Sequence, residues 1–156
     1  MKQQSAGLLM YRVRNNILEV LLAHPGGPFW KKKDAGAWTL PKGEIEEGDD
    51  PLKTAVREFE EEIGIQPKPP YHSLGAITQK AGKKVYAWAF QGDCDQGKVR
   101  SNLVEMEWPP RSGKKMKVPE IDRAEFFNIQ EAKIKLNPAQ VPFLAALPNI
   151  RAAAQR

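Results

Sequence analysis

The sequence predicts an α+β fold, a sandwich built around a mixed β-sheet. Apolar, strand-like runs recur along the chain, and helical patterns stand between some of them without the strict alternation of a parallel sheet. With 156 residues, of which 41% are apolar, the chain is long enough for one hydrophobic core. We therefore expect a single domain over residues 1–156.

The composition argues against several classes of protein. A single cysteine, Cys94, excludes an internal disulfide and any cysteine-based metal cluster. The mean hydropathy of −0.54 and the absence of an apolar run of about 18 residues argue against a transmembrane helix. The apolar stretch at 6–11 is too short for a secretory signal, so we expect a cytoplasmic protein without membrane contact.

Seven segments have the apolar and β-branched composition of strands. They are 5–11, 18–23, 38–40, 73–78, 83–90, 103–108 and 124–129. The basic stretch at 109–117 is expected to form a loop, and a capped helix is expected to begin at Asn137. His24 and His72 are expected in loops or on the surface, and the tail at 149–156 is expected to fray.

The segment Pro51–Ile63 carries the clearest helical pattern in the chain. Asp50 suits the N-cap, and Pro51 suits the first helical position. Gly64 follows the segment and adopts readily the left-handed conformation that ends a helix. The apolar residues recur at helical spacing and predict one buried stripe, made of Leu52, Ala55, Val56, Phe59 and Ile63.

Three glutamates, Glu58, Glu61 and Glu62, crowd a different face of this helix. Like charges one turn apart destabilise a helix by a few tenths of a kcal/mol per pair, and acids in the last turn oppose the helix dipole. A divalent cation would relieve this repulsion, because Mg²⁺ and Mn²⁺ prefer oxygen ligands. The pattern favours a metal site, and a solvated acidic face is the alternative.

Charge is unevenly distributed along the chain. Residues 43–65 contain nine acids and two bases, which gives this segment a net charge of −7. The whole chain carries +5, so the remainder carries +12. An acidic block within a basic protein suggests a cation site beside a surface that attracts anions. A charged helix face in contact with solvent is again the alternative.

The loop before the helix, at 40–49, suits phosphate binding. Gly43 and Gly48 permit tight turns of the backbone, and Lys42 offers an ammonium group to a phosphate oxygen. Backbone carbonyls freed by such turns would add to the helix carboxylates as oxygen ligands for one cation.

Loop and helix together resemble the signature of a known family. The pattern G-x5-E-x7-R-E-U-x-E-E-x-G-U, in which U is bulky and apolar, defines the Nudix box. Residues 43–65 match every defined position except one, since Asp49 stands where the family has glutamate. The resemblance implies a Nudix-type α/β/α sandwich over almost the whole chain. It also implies hydrolysis of a nucleoside diphosphate linked to a moiety X, with Mg²⁺ or Mn²⁺.

The resemblance also implies roles for individual residues of the box. Glu58, Glu61 and Glu62 would bind the metal, with the carbonyl of Lys42 or Gly43 completing the site. Glu58 and Glu61 would thereby belong to the catalytic centre, since the metal acts on the reacting phosphate.

Further roles concern Arg57, Asp49 and an acid outside the box. Arg57 would join the loop to the helix through a carboxylate, or would form a plain helical pair with Glu61. The shorter side chain of Asp49 is expected to tune activity rather than abolish it. The resemblance implies an acid before the last strand, as proton acceptor or further ligand. Glu120 fits that position, with Glu105, Glu107 and Glu125 as rivals.

The identity of X is less well determined. The proline that marks ADP-ribose enzymes is missing from 79–82, whereas the opening of the box, Pro41-Lys42-Gly43, resembles enzymes that act on dinucleoside or diphosphoinositol polyphosphates. Trp30 and Tyr86 are candidates for stacking on a base, as is Trp88. The cations that would receive an anionic substrate are Lys42, Lys83, Lys84, Arg111, Lys114, Lys115 and Lys117.

We therefore expect a monomer or homodimer that hydrolyses a dinucleoside polyphosphate such as diadenosine tetraphosphate. The expected partner is a small nucleotide rather than a nucleic acid. A diphosphoinositol polyphosphate or a (d)NTP is the alternative substrate. The alternative of another class is a Nudix module that binds RNA or nucleotides without catalysis, through the basic loop at 111–117.

Overall fold

The computed structural model describes residues 3–154. In this part of the chain the strands are β1 (Gln4–Arg14), β2 (Ile17–Pro25), β3 (Lys42–Glu44), β4 (His72–Thr78), β5 (Lys84–Gln91), β6 (Leu103–Glu107), β7 (Lys115–Pro119) and β8 (Ile121–Asn128). Six strands form one mixed sheet in the order β4-β5-β1-β2-β8, and β3 pairs with β1 beside this row. The mixed sheet predicted from the sequence is confirmed.

Strand β1 organises this sheet, because three other strands pair with it. It runs antiparallel to β2 and β3 and parallel to β5. Its side chains from Ser5 to Tyr11 are buried, since both faces of the sheet are covered. The register places Ala6 between Tyr86 on β5 and Gly43 on β3. The start of β1 therefore lies beside the loop that the sequence singles out.

Strands β6 and β7 form a separate antiparallel hairpin. One face carries cross-strand pairs of opposite charge, Glu105 with Lys117 and Glu107 with Lys115. These pairs stabilise the ladder. The sequence predicts a loop over 109–117, but β7 begins within this range at Lys115. The loop is therefore shorter than predicted, because its last residues pair with β6.

Helix α1 spans Pro51–Ile63, with the bounds that the sequence predicts. The Lys53 N–H donates to Asp50 Oδ2 at 3.0 Å, and Gly64 ends the helix with φ 81° and ψ 16°. The apolar stripe packs on one face of the sheet, where it meets Leu8, Met10, Leu21, Ala23 and Phe90. Caps and stripe together fix the direction in which the glutamate face is turned.

The C-terminal part of the chain covers the opposite face of the sheet. It forms helix α2 (Ile129–Lys135), a 3-10 helix (Pro138–Ala146) and helix α3 (Leu147–Ala154). The buried apolar side chains of this region are Ala132, Leu136, Phe143, Leu144 and Leu147. Helices on both faces of a mixed sheet confirm the α/β/α sandwich. Within residues 3–154, no helix has the length and apolar character needed to cross a membrane.

The short strand predicted at 38–40 does not form. Trp38 and Thr39 make only isolated bridges, to Leu136 and Ala23. Pro41 has no N–H to donate, so a ladder cannot continue through it, and the strand of this region is β3, which starts one residue later.

The C-terminal region contains more helix than the sequence predicts. A strand is expected to end at Ile129, but this residue begins α2, because the side chain of Asn128 accepts the Glu131 N–H at 2.9 Å as an N-cap. The cap at Asn137 is confirmed, since its Oδ1 accepts the Ala139 N–H at 3.0 Å. The helix that it starts is a 3-10 helix rather than an α-helix.

The tail expected to fray at 149–156 is helical as far as Ala154. Two contacts hold this helix on the domain. Leu147 is buried in the core, and the Arg151 guanidinium donates to Asn16 Oδ1 at 3.0 Å. Residues 155 and 156 lie outside the described residues, so the expectation for them is untouched.

Phe59 offers a test of the packing that orients α1. Its side chain is fully buried and meets the Phe90 ring edge to face, with 5.1 Å between ring centroids. Phe59→Ala should lower the free energy of unfolding by about 3–5 kcal/mol, through lost burial and the cavity left behind. Equilibrium urea unfolding measures this change. The control Glu60→Ala, at an exposed position of the same helix, should change it by less than about 0.5 kcal/mol, and equal effects would contradict the described packing.

Candidate active site

Glu58 lies directly against the backbone of the loop strand. A Cβ added to Gly43 would overlap the Glu58 carboxyl group, so a larger residue here would displace that carboxyl from the backbone of β3. The pKa of Glu58 is raised, chiefly by burial and further by the charges of Glu61 and Glu120. The structure thus brings two residues of the predicted site, Gly43 and Glu58, into contact.

Glu62 is the most buried acid of the helix, with only 5% of its surface exposed. Within the described residues its Oε2 atom is buried and has no hydrogen-bond partner. Burial raises the pKa of this carboxyl to about 9, with further increases from the charges of Glu120 and Glu58. The ammonium and the backbone N–H of Lys42 lower the pKa of Glu62, but they offset the increase only in part.

Glu120 reaches this cluster from a distant part of the sequence. The Glu120 N–H donates to the Asn102 carbonyl at 3.0 Å, and the Gly26 N–H donates to the Glu120 carbonyl at 3.1 Å. A Cβ at Gly26 would overlap the carbonyl of Pro119, so glycine is required for this close approach. The pKa of Glu120 is raised by burial and then by the charge of Glu61. Backbone contacts on both sides therefore hold Glu120 beside the glutamates of α1.

The rivals of Glu120 have other partners. Glu105 pairs with Lys115 at 3.7 Å, and Glu125 pairs with Arg123 at 3.3 Å. Glu107 accepts the backbone N–H of Arg111. Their carboxylates are engaged in local contacts, and the assignment of Glu120 as the functional acid stays a prediction that this arrangement favours.

Two lysines stand at the same cluster. The pKa of Lys42 is lowered, first by burial and then by the charge of Lys83, while Glu62 and Glu120 act to raise it. The Lys42 ammonium therefore lies within range of the charges of Lys83, Glu62 and Glu120. A pair of cations beside a group of carboxylates suits an anionic ligand that is bridged to a metal ion.

Arg57 contacts both the loop carboxylate of Asp49 and the helix carboxylate of Glu61, the two alternatives that the sequence left open. Its guanidinium nitrogens lie 3.9 Å from Asp49, 3.6 Å from Glu58 and 4.0 Å from Glu61. These are ion-pair distances rather than hydrogen bonds, and Arg57 is half exposed. Arg57 therefore links loop and helix through a network of weak contacts, and Asp49 belongs to it despite its shorter side chain.

The donor chemistry of the cluster fits a divalent cation. Glu62 offers a buried oxygen without a hydrogen-bond partner, and Glu58 offers a carboxylate pressed against Gly43. Both are hard oxygen donors whose charge Lys42 and Arg57 offset only in part. Within residues 3–154, no group of three His, Cys, Asp or Glu side chains is already positioned to coordinate one metal ion. The ligand set of Glu58, Glu61 and Glu62, with the carbonyl of Lys42 or Gly43, stays a prediction.

The predicted stacking residues occupy two different places. Tyr86 aligns with Ala6 and Gly43 across the sheet and packs against the core under α1, with the Lys84 ammonium 5.0 Å from its ring centroid. Trp30 packs edge-on against Phe29 in the loop after β2, where their ring centroids are 5.0 Å apart. Tyr86 therefore lies near the box loop, whereas the described contacts of Trp30 are local.

His24 is neither in a loop nor on the surface, so that prediction was wrong. It lies on β2 and is fully buried. Its Nδ1 is 2.9 Å from Asp122 Oδ1, and its Nε2 is 2.6 Å from the Lys33 carbonyl. Both partners are acceptors, so the ring satisfies both only with a proton on each nitrogen. His24 thereby ties the loop after β2 to Asp122, two residues beyond Glu120.

The histidine prediction also fails for His72, which begins strand β4 and is half buried. Sequence reasoning missed His24 because the following residues, Pro25, Gly26 and Gly27, have the composition of a loop. The only local signal in its favour is the apolar run that precedes it on β2. Its partner Asp122 lies 98 residues away and gives no sequence signal.

The buried Glu62 carboxyl predicts an unusual dependence of stability on pH. Below its ordinary pKa of 4.5 it is protonated in both states, and between 4.5 and about 9 only the unfolded state ionises. Glu62 therefore destabilises the metal-free fold increasingly as pH rises through this window. In EDTA, Glu62→Gln should have the parent's stability at pH 4 and exceed it by at least about 1 kcal/mol at pH 8.

Equilibrium urea unfolding at the two pH values measures this difference. Added Mn²⁺ should stabilise the parent and leave Glu62→Gln nearly unchanged, because an ion that binds only the folded state stabilises it. A Glu62→Gln variant that is less stable than the parent at pH 8 in EDTA would contradict the described burial.

Comparison with known proteins identifies the family of the chain. The NUDIX domain model matches residues 1–147. A segment of 56 residues is 36% identical to an RNA pyrophosphohydrolase of Francisella tularensis subsp. mediasiatica, over 35% of this chain and 36% of that protein. An RNA pyrophosphohydrolase of Francisella philomiragia matches to the same degree over 55 residues. The chain thus matches only about a third of the length of these curated relatives.

Solved structures share the fold at low sequence identity. A Caenorhabditis elegans Ap4A hydrolase binary complex superposes with a TM-score of 0.66 at 22% identity, over 97% of this chain and 98% of that one. A MutT/nudix family protein from Enterococcus faecalis gives 0.62 at 11% identity, over 97% and 63%. The family match extends over the sheet, the box helix and the segment that carries Glu120. The chain belongs to the NUDIX domain family.

Proposed function

We propose that this chain hydrolyses a pyrophosphate bond in a nucleoside diphosphate linked to a moiety X, with a divalent metal ion. The observation that carries the proposal is the buried Glu62 carboxyl, whose Oε2 has no partner within the described residues. The charges of Glu58, Glu120 and Lys42 act on this carboxyl, and the charge of Lys83 acts on Lys42. In such a site a divalent cation would neutralise the carboxylates, and a polyphosphate would neutralise the lysine ammonium groups and the remaining charge of the cation.

The metal would be held by Glu58, Glu61 and Glu62, together with the backbone carbonyl of Lys42 or Gly43. The chemistry that Mg²⁺ or Mn²⁺ supplies in such a site is neutralisation of phosphate charge and a lower pKa for a bound water. The buried stripe fixes α1 on the sheet, so the carboxylates of the helix would hold a bound metal ion in a defined position.

Other residues act directly on the substrate. Lys42 and Lys83 would contact the phosphate oxygens and hold the scissile bond against the acids. Glu120 would accept the proton of the attacking water, since burial and the charge of Glu61 raise its pKa. Arg57 would keep the Asp49 end of the loop in place over the site.

For the moiety X we propose a second nucleotide, so that the substrate is a dinucleoside polyphosphate such as diadenosine tetraphosphate. The box opening at Pro41, the cation pair of Lys42 and Lys83, and the position of Tyr86 in line with Gly43 support this choice. The name of the superposed C. elegans protein, an Ap4A hydrolase, agrees with it.

The 5′ end of an RNA is a second candidate substrate. The curated relatives that match this chain are named RNA pyrophosphohydrolases. The hairpin of β6 and β7 precedes Glu120 directly and carries exposed cations at Arg111, Lys114, Lys115 and Lys117. Such a group would contact the backbone of a longer strand and make its binding sensitive to salt.

A substrate screen distinguishes these candidates. Diadenosine polyphosphates, 5′-triphosphorylated RNA, (d)NTPs, NDP-sugars and diphosphoinositol polyphosphates are incubated with the protein and Mg²⁺ or Mn²⁺, and product masses are recorded. We expect kcat/KM to be highest for a diadenosine polyphosphate. A preference for RNA that falls steeply with salt would support the second candidate instead, and no metal-dependent release from any compound would refute hydrolysis.

Removal of the Glu62 charge should abolish turnover without unfolding the protein. Glu62→Gln is expected to lower kcat by at least about 100-fold, because a neutral amide neither binds the cation strongly nor balances its charge. The matched control is Glu60→Gln, an exposed glutamate of the same helix, which should stay within about twofold of the parent. Circular dichroism and thermal unfolding verify that both variants fold, and equal activity of the two would contradict the proposal.

The contact between Gly43 and Glu58 gives a further test. Gly43→Ala would push the Glu58 carboxyl away from the loop and should lower kcat/KM by about 10–100-fold, with a higher Mn²⁺ requirement. Gly97→Ala is the control, since an added Cβ there comes no closer than 3.3 Å to its nearest neighbour, Asp95 Oδ1. An unchanged metal requirement in Gly43→Ala would show that the Glu58 position is not needed.

A further inference from the structure

Strand β8 has an irregularity at its start, directly after Glu120. The register of the β2–β8 ladder shifts after the pair of His24 and Arg123, and Asp122 has no ladder partner within the described residues. Such an extra residue is a β-bulge, which bends a strand and changes the direction in which its side chains point. The direction of the Glu120 side chain therefore depends on this bulge.

The burial pattern of β8 shows what the bulge does. Ile121 and Ala124 are both buried, and both belong to the core under α1. In a regular strand, residues three positions apart lie on opposite faces of the sheet. The extra residue brings the two side chains to the same face, and loss of the bulge would exchange the faces of the segment before Arg123. Glu120 belongs to this segment and would change direction with it.

The side chain of His24 holds the bulged residue. Its Nδ1 lies 2.9 Å from Oδ1 and 3.1 Å from Oδ2 of Asp122. The Asp122 side chain is 31% exposed, whereas His24 is fully buried, so the contact is anchored from inside the domain. Because a bulged residue lies outside the regular ladder, this contact takes the place of cross-strand pairing at Asp122.

The ring of His24 is itself fixed by its surroundings. Nε2 donates to the Lys33 carbonyl at 2.6 Å, and the Trp38 ring meets the imidazole edge to face, with 5.1 Å between ring centroids. The Trp38 indole N–H in turn donates to Asp34 Oδ1 at 2.8 Å. The imidazole is therefore held in one orientation, and it fixes the position of Asp122.

We propose that His24 is a positioning residue for the hydrolysis: through Asp122 it holds the bulge that directs Glu120 towards the glutamates of α1. The inference rests on the proposed function, because it assumes that Glu120 accepts the proton of the attacking water. His24 is fully buried, so its influence reaches the reaction only through the backbone between Asp122 and Glu120. Misplacement of a catalytic group by about 1 Å lowers the rate by about 100-fold.

Hydrogen exchange tests this role without any substrate. The Gly26 N–H donates to the Glu120 carbonyl, so its exchange rate, measured by NMR in EDTA, reports how firmly the segment of Glu120 is held against β2. Asp122 is varied rather than His24, because loss of a fully buried side chain can prevent folding. We expect Asp122→Ala to accelerate exchange at Gly26 by at least about 10-fold, since a hydrogen bond to a charged group is lost.

The conservative variant Asp122→Asn should restore the parent's behaviour. It keeps an oxygen acceptor for the Nδ1–H of His24, and exchange at Gly26 should stay within about threefold of the parent. Urea unfolding of each variant verifies that the folded state is populated. Equal exchange rates at Gly26 in the parent and in Asp122→Ala would overturn the proposal.

The matched control is Asp93→Ala. Asp93 pairs with Arg12 at 2.8 Å, and Arg12 lies over the ring of Phe126, in the second half of β8 and away from the bulge. This substitution removes a carboxylate with a similar contact and should leave exchange at Gly26 unchanged. Acceleration as large as that in Asp122→Ala would mean that any lost ion pair loosens the segment, and the role of His24 would be refuted.

Kinetics with diadenosine tetraphosphate then connect the bulge to the reaction. Asp122→Ala should lower kcat by about 10–100-fold and leave KM unchanged, because Asp122 acts on the proton acceptor and not on substrate binding. In a Glu120→Gln background the same substitution should have no further effect on kcat, since both changes act through one carboxylate. Additive losses of kcat would contradict an action through Glu120.

Two results separate this inference from the proposed function. A parent that hydrolyses no nucleotide would refute the proposed function, and the exchange rates at Gly26 would still decide whether the contact of His24 with Asp122 holds the segment. An active parent whose exchange at Gly26 does not respond to Asp122→Ala would refute the inference and leave the proposed function intact.

Discussion

The burial of one carboxyl group, that of Glu62, is the constraint around which the acidic cluster is arranged. The buried stripe of α1 fixes the rotation of the helix, and that rotation carries Glu62 below the surface, where Oε2 has no donor among the described residues. An amide or apolar side chain at this position would suit a fold selected for stability alone. Burial of the Glu62 carboxyl destabilises the fold, and the apolar packing of Phe59 and its neighbours offsets this loss of stability.

Two close approaches of backbone bring the rest of the cluster to Glu62. Gly43 lets Glu58 lie against β3, and Gly26 lets the chain before β8 come near the end of β2. The second approach supplies Glu120 from the segment that leads into β8, where the His24–Asp122 contact fixes the neighbouring backbone. Local helix geometry therefore provides one half of the cluster, and tertiary packing provides the other.

The sequence predicts those features that are encoded locally. The bounds of α1 follow from Asp50, the apolar stripe and Gly64, all within about fifteen residues, and the structure has the same bounds. The burial of His24 depends on Asp122, 98 residues away, and no local pattern encodes that contact.

The position of Glu120 in the chain has a consequence for biosynthesis. Strand β8 pairs with β2, roughly a hundred residues earlier, so this segment joins the sheet only when most of the chain is available. A nascent chain has its box helix long before the acid that completes the cluster. The acidic cluster is therefore complete only after this long-range pairing, and an unfinished chain holds the glutamates of α1 without Glu120.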